Sequence, residues 1–168
     1  QIVPGSAPQV LAADDAALLF AMEYLDPEQH PLWKTELLEG RINPTFAAQV
    51  GERLGKIHSA TAHRSDLADA FATGSNFEQL RLEPYLRATA LRHSEFTTIL
   101  QSLADKTAHQ KLTLVHGDVS PKNILEGPQG PVFLDAECAW YGDPAFDLAF
   151  CLNPLLLKTI VQPERLPA

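Results

Sequence analysis

The chain has 168 residues, of which 45% are hydrophobic and 20% are charged, a composition typical of a folded globular domain and not of a disordered segment. The formal net charge of −8 argues against nucleic-acid and anionic-membrane partners, because phosphate-rich surfaces are normally bound through a basic patch. No apolar run approaches the roughly 18 residues of a membrane helix. The two cysteines, Cys138 and Cys151, lack metal-ligand spacing, which favours reduced thiols and a cytoplasmic location. The acidic balance mildly favours a small-molecule partner that bears an amine.

The N-terminal stretch predicts two β-strands, at 9–13 and 16–24, around a tight turn at Asp14-Asp15. A polar, proline-bounded connector at 26–31 follows, and we interpret it as a boundary between residues 1–25 and residues 26–168. The sequence begins at Gln1 without a methionine, which predicts that it is part of a longer polypeptide.

Between residues 43 and 109 the pattern is mostly helical. Asn43 followed by Pro44 is a typical helix start, and an apolar stripe at helical spacing comes after it: Phe46, Val50, Leu54 and Ile57. We expect Asn76 to cap the next helix and Pro84 to kink or restart it, since proline removes a donor and clashes with the preceding turn. Ser94 is predicted to begin another helix. Its apolar positions are Phe96, Leu100 and Leu103.

After residue 111 the pattern changes to strands, at 112–115 and on both sides of a turn at 127–130. A second cap-plus-proline pair, Asp143-Pro144, predicts the start of a strongly apolar helix that carries Asp147 close to its N-terminus. The C-terminal part of the sequence therefore combines a small β-hairpin with a buried helix.

Three oxygen-bearing side chains are predicted to meet at one end of that hairpin. Asp118 and Asn123 lie on one short loop, and the midpoint of 123 and 135 falls inside the turn, so an antiparallel pairing places Asn123 opposite Asp135. Hard oxygen ligands without His or Cys partners suit Mg²⁺. The remaining carboxylate is free to accept a proton from an attacking hydroxyl, which completes the parts of a phosphoryl-transfer site.

Three motifs in this region resemble the aminoglycoside phosphotransferase family, in that family's order and spacing. The pattern H-G-D-x-x-x-x-N occurs at 116–123, D-x-E at 135–137, and G-D-P-x-x-D-L-A at 142–149. Weaker similarities are Ala21–Asp26 to the hinge between the two lobes, Leu54–His58 to an L-G-x-x-x-L-H helix, and Arg81–Pro84 to fructosamine kinases. The resemblance implies an α+β, protein-kinase-like fold: a mainly helical C-terminal lobe with short β-hairpins, preceded by the last strands of a truncated N-terminal lobe.

The resemblance also implies an ATP- and Mg²⁺-dependent transfer of the γ-phosphate to a hydroxyl of a small polar molecule. In that reaction Asp118 would be the catalytic base or the carboxylate that orients the hydroxyl. Asn123 and Asp135 would hold Mg²⁺ against the nucleotide phosphates. The carbonyl of Glu23 and the amide of Leu25 would meet the adenine edge.

Three further residues have supporting roles by resemblance. His116 would brace the loop, Asp147 would anchor it from the helix start, and Glu137 is either a ligand near the metal or a member of a structural ion pair. Ser120 stands where Ser/Thr protein kinases place a lysine. We interpret Lys122 as a surface residue and His58 as a packed histidine with a local hydrogen bond.

Other features of nucleotide-binding kinases are absent from the sequence, which has no glycine-rich phosphate loop and no Val-Ala-x-Lys-like strand before the hinge. The chain by itself is therefore expected to bind nucleotide poorly and to transfer phosphate hardly at all. One alternative is a non-catalytic, kinase-like binding module. Another is a metal-dependent hydrolase that uses His116, Asp118, Asp135 and Glu137, although it gives no role to Asn123.

Overall fold

The computed structural model describes residues 2–161, in which two strands are followed by six α-helices, four further strands and a seventh α-helix. The helices are Trp33–Leu38 (α1), Pro44–Thr61 (α2), Ser65–Ala70 (α3), Gly74–Phe77 (α4), Ala88–Arg92 (α5), Thr97–His109 (α6) and Ala145–Val161 (α7). The strands are Val10–Asp14 (β1), Leu19–Met22 (β2), Thr113–Val115 (β3), Ile124–Gly127 (β4), Gly130–Phe133 (β5) and Trp140–Gly142 (β6). A π-helix, Glu78–Arg87, joins α4 to α5, and 3₁₀ turns occupy Ser94–Phe96 and Pro121–Asn123. The mixed α+β class predicted from the sequence is confirmed.

The strands form three separate two-stranded antiparallel ribbons, β1–β2, β3–β6 and β4–β5. The two predicted N-terminal strands are confirmed by the first ribbon, whose turn is stabilised by Asp14: its Oδ1 accepts hydrogen bonds from the N–H groups of Ala16 and Ala17. Every residue of β1 and β2 is exposed. The proposed boundary between residues 1–25 and 26–168 stays a prediction. Gln1 and residues 162–168, which belong to these two ranges, lie outside the described residues.

Helix α2 forms as predicted. The Oδ1 of Asn43 accepts a hydrogen bond from the N–H of Phe46 at 3.1 Å, and Pro44 occupies the first turn, where its missing N–H costs nothing. The predicted stripe faces the larger hydrophobic core. That core consists of Trp33, Phe46, Val50, Leu54, Val119, Ile124, Phe133 and Cys151. The core packs α2 against the β4–β5 hairpin and the loop in front of it.

The helix around Pro84 differs from the prediction. Asn76 does not cap it but lies inside α4, whose preceding residue Thr73 makes no side-chain cap. The chain passes Pro84 without a break, because the wider π-helical turn accommodates the ring that an α-helical turn would exclude. The helix predicted at Ser94 begins as a 3₁₀ turn and buries Ala104 and Thr107. Two of its predicted apolar positions, Phe96 and Leu103, are exposed.

A second core lies between the π-helix and the β3–β6 ribbon and contains Phe77, Leu82, Val115 and Trp140. The rings of Phe77 and Trp140 are stacked with centroids 4.1 Å apart. Trp140 and Tyr141 are therefore core residues of β6. Among residues 2–161, no helix is long and apolar enough to cross a membrane.

Candidate active site

The candidate site is built on the loop 116–123, which leaves β3 beside the β4–β5 hairpin. Gly117 makes the first bend, with φ +78°, in the region that favours glycine. A Cβ at this position would lie 2.7 Å from the carbonyl oxygen of Cys138, which is closer than atoms can approach. The five residues that follow the histidine, 117–121, are all buried. The loop is thus packed against Cys138, in the segment that follows the β4–β5 hairpin, before the chain reaches Asn123.

Asp147, in the first turn of α7, holds the start of this loop. Its Oδ2 accepts hydrogen bonds from the N–H of His116 (3.0 Å) and from Nε2 of His58 (2.9 Å), and its Oδ1 accepts one from the N–H of Gly117 (2.9 Å). The side chain is 1% exposed. Both carboxylate oxygens are therefore committed to the loop and to α2.

The ring of His116 continues this network. Its Nδ1 accepts a hydrogen bond from the N–H of Asp118 (3.2 Å), so Nε2 carries the proton and donates it to the carbonyl of Leu134 (3.1 Å). Burial lowers the pKa of His116, although the nearby carboxylates of Asp147, Asp118 and Asp135 oppose the shift. The neutral imidazole therefore links the loop to Leu134, the residue between β5 and Asp135.

Asp118 lies at the centre of the site and is 2% exposed. Its Oδ2 is 3.1 Å from NH2 of Arg81 and 3.0 Å from Nζ of Lys122. Its Oδ1 is buried and has no hydrogen-bond partner within the described residues. One carboxylate oxygen is therefore held by two cations, while the other has no partner within the described residues.

Three contributors were missed, misread or described only in part from the sequence. Arg81, in the π-helix, is buried, and its Nε donates to the carbonyl of Gly117 at 2.6 Å while its guanidinium lies over the ring of Phe150. The only sequence signal was the short run Arg81–Pro84. The prediction of a local partner for His58 was wrong, since its partner Asp147 lies 89 residues away. Lys122 is exposed, as interpreted, but its ammonium group pairs with Asp118.

Asn123 and Asp135 leave the two strands of the hairpin at neighbouring points, but not directly opposite each other. Pairing runs Ile124 to Phe133 and ends in a two-residue turn between Gly127 and Gly130, so the predicted register was wrong by one residue. The N–H of Leu134 donates to the carbonyl of Asn123 at 2.9 Å. Asp135 comes one position later, exposed and with φ +62°, a conformation that Asp tolerates better than most residues.

Asn123 and Asp135 both carry an oxygen of the kind that Mg²⁺ binds. Asn123 is 7% exposed, and its Nδ2 donates to the carbonyl of Asp118 at 3.1 Å, which leaves Oδ1 without a partner within the described residues. Mg²⁺ usually takes one or two protein oxygens and completes its shell with phosphates and water. Residues 2–161 contain no metal-type cluster of three or more His, Cys, Asp or Glu side chains, so the four residues of the hydrolase alternative do not form one.

A cleft of about 600 Å³ opens beside the loop. Ser120, Pro121 and Lys122 line it on one side, and residues of the π-helix, α6 and α7 line the others. Lys122, which lines the cleft, also pairs with Oδ2 of Asp118, so the cleft lies beside the residue that holds this carboxylate.

Comparison with known proteins identifies the family. A model of the phosphotransferase enzyme family matches residues 2–164. The chain belongs to this family. It is 28% identical over 183 residues to a methylthioribose kinase of Yersinia pestis (strain Pestoides F), covering 94% of this chain and 44% of that protein. It is 24% identical over 191 residues to methylthioribose kinase 1 of Oryza sativa subsp. japonica, covering 96% and 44%. The chain thus spans about half the length of the curated relatives it matches.

A solved structure supports the fold. The choline/ethanolamine kinase family protein from Mesorhizobium loti matches with a TM-score of 0.55 and 21% identity, covering 88% of this chain and 48% of that one. The protein-kinase-like fold predicted from the sequence motifs is confirmed. In the present chain, the H-G-D-x-x-x-x-N motif forms the loop 116–123.

The remaining predicted site residues lie at the periphery of the described structure. Beyond β2, the N–H of Glu23 donates to the carbonyl of Gln9, and its carboxylate accepts from the N–H of the same residue, which closes the end of the hairpin. Within the described residues, the carbonyl of Glu23 and the N–H of Leu25 have no hydrogen-bond partner. Glu137 is exposed and forms no ion pair in residues 2–161.

Proposed function

We propose that this chain carries the acceptor and magnesium sites of an ATP-dependent phosphotransferase that phosphorylates a hydroxyl of a small molecule. The observation that carries the proposal is the state of Asp118. This buried carboxylate keeps one oxygen unpartnered, on a loop held at both ends and next to an open cleft. Geometry of this kind holds a base ready before the acceptor arrives, which lowers the entropic cost of reaction.

In the proposed step, the acceptor oxygen attacks the γ-phosphorus of ATP in line with the leaving group. A phosphorus–oxygen bond forms to the acceptor, the bond between the γ-phosphorus and the bridging oxygen breaks, and ADP leaves. The hydroxyl proton passes to Oδ1 of Asp118. Arg81 and Lys122 hold Oδ2 and keep the other oxygen directed to the acceptor.

Asn123 and Asp135 would hold Mg²⁺, which when bound neutralises part of the negative charge on the nucleotide phosphates. The unpartnered Oδ1 of Asn123 and the exposed carboxylate of Asp135 support this assignment. For the adenine edge we propose the free carbonyl of Glu23 as the acceptor and the free N–H of Leu25 as the donor. We also expect residues 1–168 by themselves to bind ATP weakly, since they contain no glycine-rich loop.

The test is an assay of ADP release from Mg·ATP by the full gene product, with a panel of hydroxyl compounds. Asp118→Asn should lower turnover by about 10²–10⁴-fold, because a general base contributes about this much, and should leave the affinity for Mg·ATP unchanged. Asp135→Asn should instead weaken Mg·ATP binding. Asp69→Asn, an exposed aspartate of α3, is the matched control.

Strong residual turnover in Asp118→Asn would remove Asp118 from its role, and unchanged Mg·ATP affinity in Asp135→Asn would contradict the metal assignment. Binding of nucleotide and acceptor without any phosphate transfer would favour the alternative of a non-catalytic binding module.

A further inference from the structure

The cleft beside Asp118 has an apolar, aromatic floor. Phe146 and Phe150 of α7 stack with centroids 5.5 Å apart, and Tyr85 of the π-helix meets Phe150 edge-on at 5.7 Å. All three rings line the cleft. A floor of this kind buries the hydrocarbon part of a ligand and stabilises it through area removed from water.

The charged groups around this floor are mainly cationic. Lys34, Lys106, Lys122 and Lys158 line the cleft, against a single carboxylate, Asp143, among its described lining residues. Asp143 is already used, since its Oδ1 accepts the N–H of Ala145 at the start of α7. Lys122 is paired with Asp118, whereas the other three lysines have no ion pair within residues 2–161. In a chain of net charge −8, this is a local reversal of sign.

One residue of the cleft wall also has a buried hydroxyl without a partner. Ser120 lines the cleft, is 4% exposed, and its Oγ makes no hydrogen bond within the described residues. An unsatisfied buried hydroxyl costs free energy, so such groups normally have a partner. A polar group of a bound ligand would supply it.

We propose that this cleft binds the phosphate acceptor, and that the acceptor is a hydroxyl compound with an apolar or aromatic body and a negatively charged group. The body lies on the aromatic floor, the anionic group lies among Lys34, Lys106 and Lys158, and a polar atom meets Ser120. The proposal rests on the proposed function, because it takes Asp118 as the group that receives the hydroxyl proton. It predicts the opposite sign of charge from the amine-bearing partner that the overall composition favours.

Three probes of matched size test the charge preference by calorimetric titration of the full gene product without nucleotide. They are 4-(hydroxymethyl)benzoate, 4-(hydroxymethyl)benzamide and 4-(hydroxymethyl)benzylamine. The benzoate should bind most tightly and the benzylamine least tightly, and raising the salt concentration should weaken the benzoate alone, because exposed charge pairs are screened. Equal affinities, tightest binding of the amine, or no saturable binding of the benzoate would overturn the proposal.

Variants locate the binding. Lys106→Gln and Lys158→Gln should each weaken benzoate binding by roughly two- to fivefold, the range expected for solvent-exposed ion pairs, and leave benzamide binding unchanged. Lys56→Gln is the matched control, since Lys56 pairs with Glu52 on α2 and does not line the cleft. Ser120→Ala should weaken binding of benzoate and benzamide alike, while the unfolding midpoint stays the same or rises, because no internal hydrogen bond is lost.

Three further outcomes separate this proposal from the proposed function. The first is that Mg·ATP displaces the benzoate and that the affinity for Mg·ATP falls in Lys106→Gln. The lysines would then bind the nucleotide, and the proposal would be overturned. If the benzoate binds but another hydroxyl compound of the panel is phosphorylated by Mg·ATP and no hydroxy acid is, this proposal is overturned and the phosphotransferase function stands. If no hydroxyl compound of any class is phosphorylated, the phosphotransferase function fails, and the benzoate affinities then report only an anion site.

Discussion

The loop around Asp118 and the segments assigned to the nucleotide differ sharply in how the chain holds them. In the loop, residues 117–121 are buried, and the carboxylate of Asp147 accepts three hydrogen bonds. On the nucleotide side, both strands of the β1–β2 hairpin are exposed, and Asp135 has no hydrogen bond or ion pair within the described residues. Contacts inside the chain therefore hold the loop around Asp118, whereas the segments proposed for the nucleotide are exposed and make few contacts among residues 2–161.

The largest expected difference comes from one isosteric substitution made on each side. Asp147→Asn replaces an acceptor oxygen by an amide that faces N–H donors, so it should lower the free energy of unfolding by about 3–5 kcal/mol. Asp135→Asn should change it by less than about 0.5 kcal/mol, since an exposed residue loses no partner and Asn tolerates the same positive φ. Urea unfolding of both variants measures the difference. Similar losses at the two positions would show that the loop is not held by Asp147.

A smaller effect is expected at the bend of the loop. Gly117→Ala places a Cβ against the carbonyl of Cys138 at a positive φ, and should cost about 2–4 kcal/mol. Gly51→Ala is the control: it lies inside α2, where a Cβ meets nothing within 4 Å, so alanine should stabilise the protein by about 0.5–1 kcal/mol. Thermal unfolding of the two variants measures both values. A neutral Gly117→Ala would mean that the loop can leave Cys138 at little cost.

The next effect concerns the contact between α2 and the loop. His58→Ala removes the Nε2–H group that donates a hydrogen bond to Oδ2 of Asp147. Because this carboxylate oxygen stays buried, the substitution should lower the free energy of unfolding by about 1–3 kcal/mol. His93→Ala, at an exposed position, should have an effect within about 0.5 kcal/mol. Equal effects in urea unfolding would contradict a role of His58 in holding the loop.

The sequence predicted the local parts of this site well and the long-range contacts poorly. The cap at Asn43, the hairpin on both sides of its turn and the helix after Asp143 follow from short-range propensities, and all three are present. The register was wrong by one residue because it depends on whether the turn has two or three residues, which the Gly-Pro-Gln-Gly run does not specify.

Arg81 could not be placed beside Asp118 from the sequence. Its contacts with Gly117 and Asp118 depend on how the π-helix packs against the loop, and that packing follows from a helix that continues through Pro84. The partner of His58 could not be predicted for the same reason, since the spacing of its apolar neighbours predicts burial but not a contact with α7. Periodicity identifies which face of a helix is buried, whereas the partner of a polar side chain on that face is set by the packing of distant elements.

The smallest predicted effect is a pH dependence of stability that arises from His116. Burial lowers the pKa of its imidazole in the folded protein, whereas in the unfolded chain the pKa has its ordinary value of about 6.5. Between these two values the unfolded chain binds the proton more readily, so the stability present above pH 6.5 is lost as the pH falls toward the lowered pKa. His116→Asn should therefore give a flatter dependence of the urea midpoint between pH 7.5 and 5.5 than the unsubstituted protein.

The slope is the informative quantity, because the substitution also removes the hydrogen bonds to Asp118 and Leu134 and so lowers the midpoint at every pH. Identical slopes would show that the ring is free to take up a proton in the folded state, and the neutral form would then not be needed to hold the loop.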